Sequence, residues 1–100
     1  AVKLTDKDLL FLAARAIGGA FDAPTESITL DGGIDYTQWN PLIDDGDAFG
    51  LAMNLHMMVN FTAGGAIAYY DKGLASGSIS DQSPNRAIVR AAAAIGSVMP

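Results

Sequence analysis

Asp44, Asp45 and Asp47, grouped around Gly46, form the densest cluster of side chains that could do chemistry. Carboxylates this close could share a hard divalent cation, which takes several oxygen ligands. An EF-hand loop needs acids at successive alternate positions, a central Gly and a distal Glu, and Asp44-Asp45-Gly46-Asp47 has neither that spacing nor the Glu. The same residues suit a helix N-terminus, where Asp accepts from free backbone N–H groups and meets the positive end of the helix dipole. Capping by Asp44 or Asp45 is the favoured role. His56, the sole histidine, could act as a base only with a substrate in reach and a group to orient its ring. With no cysteine in the chain, thiol chemistry and thiolate metal sites are excluded. A half-buried imidazole near the end of the second helix is expected instead. Trp39, the sole tryptophan, could anchor a partner, because Trp is enriched at binding hot spots. Plugging one end of the core is its favoured role.

The glycine pairs 18–19, 32–33 and 64–65 lack the strand-to-helix setting and the lysine of a phosphate loop. Met53, Met57 and Met58 read as core filler. No catalytic residue, cofactor site or metal site is expected, so the chain reads as a non-enzyme. Asp44, Asp45, Asp47, Trp39 and His56 are its candidate partner-binding residues.

The charges are unevenly spread. Residues 18–71 hold Asp22, Glu26, Asp31, Asp35, Asp44, Asp45, Asp47 and Asp71 with no Lys or Arg. Such an acidic middle repels phosphates, so nucleic acid is not an expected partner. No apolar run approaches the roughly 18 residues of a membrane span, and no basic-then-apolar leader opens the chain. Together with the absence of cysteine, this leads to an expected cytoplasmic location and no membrane partner. One domain over residues 1–100 is expected, because half of the residues are hydrophobic and can build a single core.

Helices and hairpins must position the candidates. Thr5 and Asp8 form a capping box before Leu9, Leu12, Ala13, Ala16 and Ile17. Phe11 lies off that stripe and is expected to be covered by a neighbouring element. Ile28 and Leu30, then Asp31-Gly32-Gly33, then Ile34 and Tyr36 predict a hairpin with all four apolar side chains on one face. Asn40-Pro41 leads into a second helix with Ala48, Leu51, Ala52 and Leu55 buried. Residues 57–80 predict a three-stranded meander with three-residue loops, pairing Phe61 with Ile67 and Tyr69 with Ala75. Ser83 and Pro84 open a last helix that buries Ile88, Ala91, Ala92 and Ile95 and is followed by Gly96. The expected fold is α+β, an antiparallel sheet of about five strands packed with three helices in the order αββαβββα.

The run Trp39-Asn40-Pro41-Leu42, Asp44-Asp45-Gly46-Asp47-Ala48, Leu51-Ala52 and Leu55 resembles the central motif of small phage and prophage proteins carrying the phage ABA sandwich domain. Residues 86–96 are similar to that group's closing helix, and residues 12–18 to its opening one. The sequence departs from the group at Gly50 and Asn85, where such proteins often carry basic residues. The resemblance implies helices on both faces of the sheet, a phage or prophage origin and no known reaction. It leads to the expectation of an accessory protein that binds a protein partner, a host factor among the candidates. A small ligand or divalent metal on the acidic cluster is the alternative. A homodimer is a further expectation, because an open sheet has two free edges.

Overall fold

The structure, a computed structural model, describes residues 4–99. The elements run α1 (Asp6–Ala16), β1 (Ala20–Asp22), β2 (Ser27–Thr29), β3 (Thr37–Gln38), α2 (Asp45–Asn54), β4 (Met58–Thr62), β5 (Gly65–Lys72), β6 (Ala75–Asp81) and α3 (Pro84–Ser97). The α+β class and the three helices are as expected, but the single sheet of about five strands is not. Two antiparallel sheets of three strands form instead, in the orders β1-β2-β3 and β4-β5-β6. The additional strand, β1, pairs Phe21 with Ile28. At three residues it is too short to leave an alternating pattern in the sequence.

All three helices start where capping chemistry places them. Thr5 and Asp8 exchange side-chain-to-backbone bonds at α1, Asp44 accepts from the Asp47 N–H at α2, and Ser83 accepts from the Arg86 N–H at α3. Pro84 fills the first turn of α3, where a missing N–H costs nothing.

The hairpin registers differ from expectation. In the first sheet Ile28 lies opposite Thr37, not Tyr36. Leu30, Ile34 and Tyr36 consequently stand exposed. The reason is the Asp31 carboxylate, which accepts from the Ile34 and Asp35 N–H groups and from the Thr29 hydroxyl, drawing residues 31–35 into a compact turn. In the second sheet both loops have two residues, so Phe61 lies opposite Ala66 and Tyr70 opposite Gly77. A one-residue slip turns a strand over. Ala68 and Tyr70 therefore pack toward α3, while Tyr69 stands exposed.

α3 is the central element. It packs on α1 and α2 and also on β5 and β6. Ala87, Ile88, Val89, Ala91, Ala92, Ala93, Ile95 and Gly96 are all buried, covering most of its circumference. The run of alanines permits this, because Ala87 and Ala91 meet Ala68 with no long side chain between helix and strand. Gly96, expected beyond the helix, lies inside it against the α1 backbone. Phe11, expected to be covered, is exposed. Helices cover one face of the second sheet, and Met58, Asn60, Ser76 and Ser78 are exposed on the other. The helices on both faces that the resemblance implied are absent among the described residues.

Candidate functional site

Trp39 sits in the core, tilted against Phe21 with ring centroids 6.0 Å apart. Its backbone N–H donates to the Glu26 carbonyl oxygen, which fixes the strand end beside the β1–β2 turn. This burial gives Trp39 the core-plugging position that its sequence favours.

The segment after it is knitted by polar side chains. The Asn40 carbonyl oxygen accepts from the Ile43 and Asp44 N–H groups, so Pro41 falls at the second position of a turn, where its fixed φ is suited. Asn40 Oδ1 accepts from the Leu42 N–H, and Asn40 Nδ2 donates to Glu26 Oε1. The Asp47 carboxylate accepts from the Asn40 N–H at 2.9 Å. The acidic cluster thus divides into three roles. Asp44 caps α2, Asp47 braces the turn ahead of it, and Asp45 accepts from Asn85 Nδ2 at 2.9 Å across the mouths of α2 and α3. Asp47 is half-buried and engaged by the Asn40 N–H, whereas Asp44 and Asp45 are exposed. No group of three or more His, Cys, Asp or Glu side chains arranged to hold a metal ion occurs among the described residues.

His56 is exposed, not half-buried. It follows the last turn of α2 with φ of 54°, and its N–H donates to the Met53 carbonyl oxygen. A left-handed residue is a common way to end a helix, and His tolerates that conformation better than most. No side-chain hydrogen bond orients its ring among the described residues.

What the sequence reading missed is apolar. Met53 and Met58, read as core filler, are exposed, and so are Phe49 and Phe61. Phe49 and Met53, one helical turn apart on α2, face Val59 and Phe61 of β4 across a groove floored by Ile88 of α3 and Ala52. This cavity of about 550 Å³ adjoins a second, of about 420 Å³, that shares Phe49, Phe61 and Ile88 and ends at Asp45, Ser83 and Asn85. His56 stands at the opposite end. The groove therefore has an apolar length, one acidic end and one imidazole end. Phe49 is 65% and Phe61 71% exposed, values that leave most of both rings to solvent. The signal in the sequence was the pair Phe49 and Met53, four apart and off the buried stripe of Ala48, Leu51, Ala52 and Leu55.

Comparison with protein-family models, with curated proteins and with solved structures finds no match to this chain. Among the described residues no helix is long and apolar enough to cross a membrane.

Proposed function

We propose that this chain is a small phage or prophage accessory protein that acts by binding another protein, a host factor being the favoured class, and that it catalyses no reaction. The groove between α2 and β4 is the observation that carries the binding reading. Contiguous exposed apolar surface bounded by polar residues marks interaction sites. Here two phenylalanines and a methionine remain in water, Phe49 and Met53 on a helix whose opposite face is buried and Phe61 on the strand across from it. The phage assignment rests on the resemblance of residues 39–55, and a cytoplasmic location in the host follows from it. The alternative use of the acidic cluster, for a metal or small ligand, gains no support from three carboxylates that already serve backbone and amide groups.

Capture from a bacterial lysate tests the binding reading. The wild-type chain is expected to retain a saturable protein partner, and Phe49→Ser with Met53→Ser is expected to lose it while melting as the wild type does. Absence of a saturable partner, or capture indifferent to the double variant, would overturn the reading.

A further inference from the structure

β4 is an edge strand, and its open side coincides with the groove. The two-residue loop Ala63-Gly64 makes Thr62 and Gly65 a hydrogen-bonded pair, and bonded pairs alternate along an antiparallel ladder. Asn60 with Ile67 and Met58 with Tyr69 are then bonded pairs too. Val59 and Phe61 consequently turn their N–H and C=O groups away from β5, toward the open side. Outside the ladder neither group meets a partner among the described residues. The side chains of the same two residues line the groove. Edge strands are usually blunted by a charge, a proline or a bulge. Met58–Thr62 has none of these.

We infer that this edge takes an extended segment of a partner protein as a fourth strand beside β4, with apolar side chains at alternate positions in the groove and a Lys or Arg at the Asp45 end. The inference rests on the protein-binding reading above and names its mode. A strand bonded to Val59 and Phe61 presents every second side chain to the face that Phe49, Met53 and Ile88 enclose. Main-chain bonds would supply affinity and the groove selectivity. The charge follows from the surroundings: Asp45 lines one end, residues 18–71 contain no cation, and Arg86 and Arg90 pair with Asp6 and Asp81. A second copy fits less well. Its β4 belongs to the same acidic segment, and α2, packed on α3 beside β4, fills the layer where the copy's own α3 would have to run. A lone strand needs no such room.

Selection of displayed random peptides of about a dozen residues on the intact protein, followed by hydrogen exchange with a selected peptide, tests the inference. Selected peptides are expected to share apolar residues two apart and a basic residue near one end. Binding is expected to protect the Val59 and Phe61 amides. Val59→Pro, which removes one outward N–H without breaking a β4–β5 bond, and Phe49→Ser are each expected to weaken binding by roughly tenfold or more. Weakening by Phe49→Ser with no protection of the two amides in the wild type would overturn strand addition and leave groove binding standing. Selection of no peptide, or of peptides indifferent to both variants, would also overturn it, with groove binding then decided by the capture experiment. A concentration-dependent dimer abolished by Val59→Pro would assign the edge to a second copy and overturn the inference.

Discussion

Gly96 of α3 lies so close to Leu12 of α1 that a Cβ at Gly96 would overlap the Leu12 carbonyl oxygen and come within 2.8 Å of its carbonyl carbon. Both clashes are with backbone, which cannot rotate aside as a side chain tip could. The glycine sets the separation of the two helices, and Ala13, Ala14, Ala92 and Ala93 complete the close packing around it. Gly50, by contrast, is an exposed helical glycine with open space where a Cβ would stand.

The same substitution should therefore have opposite signs at the two sites. Gly96→Ala is expected to destabilise the fold by about 1–3 kcal/mol through overpacking, although alanine favours helix. Gly50→Ala is expected to stabilise it by up to about 1 kcal/mol. Thermal melts check this, since 1 kcal/mol corresponds to roughly 4–8 °C in a domain of this size. A stable Gly96→Ala protein would refute the close helix contact.

Trp39→Ala is expected to cost about 3–5 kcal/mol, a large share of a total stability of about 5–15 kcal/mol. Asp44→Ala should cost about 0.5–2 kcal/mol through loss of the α2 cap. Denaturant titrations read both. A Trp39→Ala variant as stable as wild type would return that ring to the recognition surface.

Acid should weaken two sites. The Asp35 N–H, the Thr29 hydroxyl and the Ile34 N–H hold the Asp31 carboxyl below its ordinary value of 3.8. The Thr5 N–H and hydroxyl do the same for Asp8. A carboxylate whose pKa falls on folding stabilises the native state above its unfolded value, and that contribution disappears as pH drops through the folded value. Stability is thus expected to fall below about pH 4, and Asp31→Asn should flatten this decline. A decline unchanged in Asp31→Asn would show that the turn at 31–35 does not couple folding to protonation.

How much of this was legible in the sequence depended on the range of the interaction involved. The caps are decided within a few residues, and reading by type and spacing found Thr5 and Ser83 and narrowed the α2 cap to Asp44 or Asp45. The buried stripe of α2 was equally readable, whereas in α1 Leu10 and Ala14 are buried and the expected Leu12 and Ile17 only partly so. Strand register was not, because it turns on a one-residue difference in loop length and on contacts distant in sequence. Ala68 faces inward because Ala87 and Ala91 lie against it, and no local alternation reports that. In the same way Ile34 alternates correctly for a strand, yet Asp31 gathers its backbone into a turn. The groove went unread for a related reason. Alternation places Phe61 on an apolar face with Ile67, and only the relative placement of α2 and β4 shows that nothing covers its ring.

His56 should prove replaceable. Its left-handed backbone, with φ of 54°, suits glycine better than any other residue. His56→Gly is expected to leave stability unchanged or raise it by about 1 kcal/mol. A marked loss of melting temperature would mean that the imidazole makes a stabilising contact.

The central claim is that the α2–β4 groove is where a partner protein touches this chain. Site-specific photo-crosslinking tests it most directly. A photoreactive phenylalanine analogue replaces Phe49 in the groove in one preparation, and Leu74 at the β5–β6 loop, 90% exposed and remote from the groove, in another. Irradiation in bacterial lysate is expected to give a discrete cross-linked protein from position 49 that excess unlabelled chain suppresses, and none from position 74. Equal labelling from both positions, or labelling at 49 that the unlabelled chain fails to suppress, would contradict the claim.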